Sequence, residues 1–373
     1  MSSLGGVEEA LSVNQSFFSK NMNNLTQCKQ VDTSARIFFI LPHSLVFLVG
    51  LFLNGLTLKV YFCHAQQQTS SSVTVYLKNL AAADFLLTLC LPIRIINYAS
   101  SSALIRRAYC SFGASALYLN MYASILFMGY IAANRYQKIV HHLGSNILQT
   151  VKAAHIISTV TWTVLVAMMF TYVLMSLLTP EQLQGYSSVP ITASCDSLHS
   201  QPLSVLYKAL HSCCAAIFLL VLITLVFFYY STSHRLSLAE QRHPASSCSK
   251  KLVKSRRNML VLVSVFCICF VPYHLVRLPY VLLKGQCSMN QLFFYLKELA
   301  IMMSVLNVCL DPLIYFIFSK AFRAQLSMRR MFSSAKTDTR GTKSKRRSSD
   351  RRMNTTRVNK ELISVMIKEN SGL

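Results

Sequence analysis

The sequence predicts an all-α membrane protein: a bundle of seven membrane-crossing helices followed by a short amphipathic eighth helix. Three observations carry that expectation. The chain of 373 residues is 53% hydrophobic and only 13% charged, with a mean hydropathy of +0.41. Its apolar residues fall into seven unbroken runs, and its cations collect in alternate loops.

The runs lie near 37–62, 73–98, 110–137, 152–178, 203–231, 256–284 and 292–318. Each supplies roughly 20 residues or more, enough to cross a hydrocarbon core about 30 Å thick. They are continuous rather than alternating with period two, which argues against a β-barrel, and only a helix satisfies its own backbone groups in such a run. Residues 1 to 36 are polar and lack the apolar core of a cleavable signal peptide, so the first helix is expected to act as its own insertion signal.

Lys and Arg number 37 against 13 Asp and Glu, a balance that suits either nucleic acid or a membrane surface. The cations lie between and after the apolar runs, which selects the membrane and its lipids and leaves no nucleic-acid partner. The fifth connection holds Arg235, Arg242, Lys250, Lys251, Lys254, Arg256 and Arg257, whereas none lies between Pro180 and Leu206. Short loops rich in Lys and Arg stay in the cytoplasm, so the amino terminus is expected outside the cell. Asn14 and Asn24 begin the sequons Asn-Gln-Ser and Asn-Leu-Thr there, agreeing with an external, glycosylated segment. The expected organisation is a glycosylated extracellular 1–36, a seven-helix domain 37–318, an amphipathic helix 319–332 and a disordered cytoplasmic tail 333–373, in a multi-pass plasma-membrane protein. The tail's Ser and Thr are candidate phosphorylation sites, at which arrestin is the expected partner.

Most of the 12 cysteines sit in apolar runs and read as small buried hydrophobes. Cys28, Cys110, Cys195 and Cys287 fall at expected external positions, where two bridges form under any of three pairings.

Ionisable residues inside the membrane are costly and mark function. Asp84 and Asp311 fall near the middle of helices two and seven, with Asn54, Asn120, Ser124 and Asn307 as polar partners. One reading is a pocket in which a structural sodium ion sits between the carboxylates; the other is a purely structural hydrogen-bonded network. No other cofactor or metal is expected. A second set lies toward the exterior: Arg94 ten residues beyond Asp84, Tyr118 and Tyr122 one turn apart, His274 and Arg277 one turn apart, and Lys297 beside Glu298, with Lys208 and His211 adding from helix five. Cations and aromatic edges converging at the mouth of a bundle describe a receptacle for an anion, with phosphate the natural candidate. For any one cation alone, snorkelling to lipid headgroups is the bland alternative.

The motifs then become specific. Leu53-Asn54-Gly55, Leu80-Ala-Ala-Ala-Asp84, Cys110 with Cys195, Asn134-Arg135-Tyr136, Trp162, Cys269-Phe270-Val271-Pro272 and Asp311-Pro312-Leu313-Ile314-Tyr315 together resemble the rhodopsin-like G-protein-coupled receptors over roughly 37–330. That resemblance implies a bridge between Cys110 and Cys195, and activation through joint rearrangement of Arg135, Tyr230 and Tyr315. Leu119-Asn120-Met121-Tyr122, Phe270-Val271-Pro272-Tyr273-His274 with Arg277, and Lys297-Glu298 are similar to the purinergic branch, which includes ADP and UDP-sugar receptors, the lysophosphatidylserine receptor and several orphans. This implies a second bridge between Cys28 and Cys287, and a ligand touching Tyr118, Tyr122, His274, Arg277 and Lys297.

The implied function is a receptor for an extracellular phosphate-bearing ligand, a nucleotide or nucleotide sugar, that activates a heterotrimeric G protein of the inhibitory class. A lysophospholipid receptor of the same branch and a non-signalling scaffold or decoy are the alternatives. Phosphate clamped between Arg277 and Lys297 would draw helices six and seven together, and Pro272 would let the inner end of helix six swing out. The G protein would meet Arg135, Tyr136, Lys138 and the basic stretch from Lys250 to Arg257. Three departures stand out: Asn134 replaces the usual acid before Arg135 and predicts raised basal signalling, the first outer loop reads Leu104-Ile-Arg-Arg-Ala108 where a Trp is common, and helix five has no proline between Pro202 and Pro244. A transporter is disfavoured by the lack of internal repeats. An enzyme is disfavoured because no nucleophile, base and orienting group stand at a recognisable spacing.

Overall fold

Seven helices long and apolar enough to cross a membrane make up the described part of the chain. The computed structural model describes residues 33–63, 71–100, 102–140, 150–178, 195, 200–242, 247–282, 290–319 and 322–323. Helix α1 is Thr33–Leu58, prolonged by a π-helical turn, Lys59–Cys63. Helix α2 is Ser72–Ala99, α4 Val151–Leu178, α5 Gln201–Arg242 and α6 Ser247–Leu282. Two composite helices complete the set: α3 joins Ala103–Ala108 to Ala114–Val140 through a π-helical turn, Tyr109–Gly113, and α7 joins Asn290–Val305 to Asn307–Phe318.

All seven expected spans are present, and the departures occur at their ends. Helix α3 begins at Ala103, not near Cys110, because Arg106 and Arg107 interrupt the apolar run without interrupting the helix. Helix α5 runs on to Arg242 and α6 begins at Ser247, since a helix continues past the hydrocarbon wherever its residues favour it. The bridge between Cys110 and Cys195 is formed. Asn14, Asn24, Cys28, Cys287, the tail and almost all of the amphipathic eighth helix lie outside the described residues.

Burial sorts the helices. In the most apolar window of α3, 72% of residues are buried, against 17% in α4 and α5, so α3 runs through the middle of the bundle. The outward residues remain apolar, with Leu41, Phe52 and Ile223 largely uncovered by protein, because lipid tails are as hospitable to them as a core. Where helices touch closely, small and polar residues allow it. A Cβ on Gly50 would stand 2.8 Å from Val308 and 3.2 Å from Thr88, so only glycine lets α1 approach both α2 and α7 there.

Asn54, one turn further along α1, donates to the Val308 carbonyl at 2.8 Å and to the Gly50 carbonyl at 3.0 Å. Val308 precedes Pro312 by four residues, and proline has no N–H to give that carbonyl. A side chain from α1 thus satisfies the acceptor that a proline in α7 releases, which the membrane interior demands. Trp162 of α4 donates to Asn79 of α2 at 3.0 Å, a second polar tie across the bundle.

Candidate functional site

A cavity opens at the end of the bundle that carries the disulfide. Arg94, Arg106, Arg277 and Lys297 line it together with a single carboxylate, Glu298, an excess of three positive charges among the described lining residues. Tyr118, Tyr122 and His211 face the same space. The sequence-predicted set therefore converges, apart from His274, which lies outside the lining and bonds to Tyr122, and Lys208, which is exposed on α5 away from the cavity.

The cations are held differently. Arg94 of α2 donates through Nη1 to Tyr109 Oη at 2.5 Å and through Nη2 to Tyr98 Oη at 2.6 Å and Glu298 Oε2 at 2.5 Å. Tyr98 donates to the same Glu298 oxygen. Arg94 and Glu298 are 3% and 5% exposed, so this is a buried ion pair joining α2 to α7 with α3 bonded to it. Its geometry makes Arg94 a structural anchor of the chamber more than a group held out to a ligand. Lys297 stands 3.4 Å from the other Glu298 oxygen and is partly exposed, a looser arrangement that leaves its ammonium at the cavity wall.

Arg277 of α6 is buried among rings. Its guanidinium carbon lies 5.4 Å from the Tyr207 ring centre and 5.8 Å from that of Tyr118, and Nη2 is 3.4 Å from His211 Nε2. Aromatic faces stabilise a planar cation without neutralising its charge. Arg106, 7% exposed and at the cavity wall, was not among the expected ligand residues. It sits four residues before Cys110 and so shares its helix face, a signal readable only once Ala103–Ala108 is known to be helical.

Below the chamber, rings connect it to the middle of α6. His274 Nδ1 lies 2.8 Å from the Phe270 carbonyl, which can only accept, so Nδ1 carries the proton and Nε2 accepts from Tyr122 Oη at 3.0 Å. The His274 ring stacks on Phe218 of α5 at 3.7 Å, Phe218 stacks on Phe266, and Phe266 meets Phe270 edge-on. Phe270 precedes Pro272, the interruption in α6, by two residues.

Of the mid-membrane polar set, Ser124 and Asn307 meet at Asp84, whereas Asn54 bonds to the Gly50 and Val308 carbonyls and Asn120 to the Ala116 carbonyl. Asp84 accepts from Ser124 at 3.1 Å, from Asn307 at 3.3 Å and from Tyr315 at 2.5 Å. Asp311 is fully buried and lies within hydrogen-bonding reach of Asp84, where two carboxyl groups can share a proton, and its oxygens meet no other donor among the described residues. The side-chain oxygens of Asn54, Asn120 and Asn307 are buried and have no hydrogen-bond partner among the described residues.

At the far end, Asn134 donates to Ser72 of α2 at 2.8 Å. Arg135 reaches the Phe318 carbonyl at 3.2 Å and lies over the Phe318 ring, while Tyr136 pairs with Ser231 and stacks on Phe228. Tyr230 does not join this group. It is 68% exposed on the lipid side of α5 and stacks on His234, whereas Tyr229, turned by about 100° from it on the same helix, is half-buried.

The profile described as "7 transmembrane receptor (rhodopsin family)" matches residues 53–315. The chain is 32% identical to purinoceptor 14 of Bos taurus over 290 residues, 75% of this chain and 82% of that protein. It is 29% identical to "G-protein coupled receptor 171" of Homo sapiens over 76% of this chain and 86% of that one, and 27% identical to purinoceptor 13 of Rattus norvegicus over 81% and 88%. Seven spans around a central α3, the bridge from its head and the polar residues at mid-membrane thus accompany a family match over most of the chain, and the protein belongs to the rhodopsin family of seven-transmembrane, G-protein-coupled receptors.

Proposed function

We propose that this receptor senses an extracellular phosphate-bearing ligand, a nucleotide or nucleotide sugar, and activates a heterotrimeric G protein of the inhibitory class. The observation that carries the reading is the chamber's charge: four cations and one carboxylate line it among the described residues. A cleft of one sign with low-dielectric walls concentrates the opposite charge, and Arg and Lys together suit phosphate. The relatives named as purinoceptors agree with this ligand class. In this orientation the disulfide end faces outward, with 1–36 extracellular and the tail cytoplasmic, where arrestin would meet phosphorylated residues.

The mechanism is a shift of population, in which the ligand binds the active arrangement better than the resting one. Arg277 and Lys297 stand on α6 and α7, so phosphate between them draws those helices together. The movement passes down α6 by way of His274, Phe218 and Phe266 to Pro272. A sodium ion fits the mid-membrane site, since a hard cation takes oxygen ligands and the Asp311 carboxyl and the side-chain oxygen of Asn307, which bonds to Asp84, are buried there with acceptor capacity to spare among the described residues. Asp84 and Asp311 would hold it, and its charge would favour the ionised form of both in the resting arrangement.

A lysophospholipid is the second reading. Leu165, Met168 and Met169 of α4 and Leu210 and Cys214 of α5 form an apolar wing of the same cavity, suited to an acyl chain. Guanine-nucleotide exchange with purified receptor, screened against nucleotides, nucleotide sugars and lysophospholipids, separates the two. Response to one class, lost in a folded Arg277→Ala variant, supports that class. Equal responses in wild type and variant remove the phosphate clamp, and silence toward every ligand favours the scaffold or decoy.

A further inference from the structure

Phe318 ends α7 and is 8% exposed. The last carbonyls of a helix have no intrahelical donor and sit at the negative end of its dipole, a setting that favours a cation. Arg135 of α3 fills that setting: Nη2 donates to the Phe318 carbonyl at 3.2 Å, and the guanidinium carbon lies 5.0 Å from the centre of the Phe318 ring. One residue earlier, Asn134 turns its amide to Ser72 on α2. The side chain that replaces the usual acid is therefore engaged elsewhere, while the end of α7 holds the arginine. One turn before Phe318, Tyr315 donates to Asp84 of α2, so the last turn of α7 is tied to α2 and α3 at two points.

We infer that Phe318 is a positioning residue that keeps Arg135 in its resting arrangement, a latch between α3 and the end of α7 in a chain whose residue 134 is Asn and bonds to α2. The backbone carbonyl supplies one bond, which no side-chain substitution removes. The ring supplies a second contact, and this can be tested. Arg135 must leave both to serve a partner docking at this end of the bundle, and whatever ligand occupies the chamber, the latch sets the basal level from which it works.

Phe318→Leu retains apolar volume and the carbonyl but removes the aromatic face, and Phe318→Tyr retains the face. Each variant is compared with wild type in lipid nanodiscs at equal amounts of folded receptor. Ligand-independent nucleotide exchange is measured with members of each of the four Gα classes. A cation–ring contact of ordinary strength makes the expected rise for Phe318→Leu about two- to fivefold, with Phe318→Tyr at the wild-type level. Hydrogen exchange of amides 315–319 needs no G protein and is expected to quicken in Phe318→Leu alone. The latch is overturned if neither measurement separates Phe318→Leu from wild type, or if Phe318→Tyr rises with it, which would make packing and not the ring the cause. Silence with every Gα, accompanied by faster exchange in Phe318→Leu alone, leaves the latch standing and counts against G-protein activation.

Discussion

Two polar chambers share one bundle and are built from opposite kinds of ionisable group. At the disulfide end, Arg94, Arg106, Arg277 and Lys297 outnumber Glu298. At mid-membrane, Asp84 and Asp311 face each other with no cation among the described side chains that bond to them. Burying a charge in such surroundings is costly unless it is paired or solvated. The comparison teaches that pairing within the protein and readiness for a ligand are separable, even for residues of one type. Arg94 has a carboxylate and two phenols as partners, whereas Arg277 is cushioned by rings and a histidine. Two arginines of one chamber are thus held by different kinds of contact among the described residues, a carboxylate for one and aromatic faces for the other.

The largest expected effect breaks the paired half of that contrast. Arg94→Ala leaves Glu298 buried with the Tyr98 hydroxyl and the looser Lys297 as its partners among the described residues, and removing one member of a buried pair costs about 3–5 kcal/mol. The expected readout is a sharp fall in thermal stability and in folded yield, largely recovered when Arg94→Met is combined with Glu298→Leu. Arg277→Ala addresses the other half. Hydrogen bonds to a charged group contribute about 1.5–3 kcal/mol, so the ligand concentration for half response should rise by roughly 10- to 150-fold with little change in folded yield. Lys208→Ala, away from the cavity, should leave the curve in place.

The carboxyl chamber sharpens the comparison at smaller amplitude. Replacing choline chloride by sodium chloride should raise the melting temperature of the ligand-free receptor by about 2–4 °C if sodium stands tenfold above its dissociation constant. Asp311→Asn should abolish that difference. The smallest effect is expected at the far end, where Asn134→Asp offers Arg135 a carboxylate beside the Phe318 latch. Basal nucleotide exchange should fall by at most about fivefold, the range of a partly solvated ion pair, without loss of surface expression.

How much of this was legible in the sequence depended on whether a residue's meaning lay in its own segment. The seven spans, the depth of Asp84 and Asp311, and the rim position of Arg277 and Lys297 follow from run length and rise per residue, which are local. The roles of Arg94 and Glu298 do not, because 204 residues separate them and only the packing of α2 against α7 makes them partners. Tyr230 and Lys208 were hidden for a different reason. On a helix whose lipid and protein faces are both apolar, composition does not reveal which face is which, so the choice between Tyr229 and Tyr230 needs the fold. Arg106 was masked by its own charge, which ended the apolar run while the helix continued.

The most direct test of the cationic chamber compares ligands that differ only in phosphate. Nucleotides and nucleotide sugars are paired with their nucleosides, and lysophospholipids with the corresponding monoacylglycerols, in guanine-nucleotide exchange on the purified receptor. The account predicts that a phosphate-bearing member of some pair stimulates exchange and that its uncharged counterpart fails at roughly a hundredfold greater concentration, the span of a charge-assisted contact. Equal potency of the uncharged counterpart would contradict it.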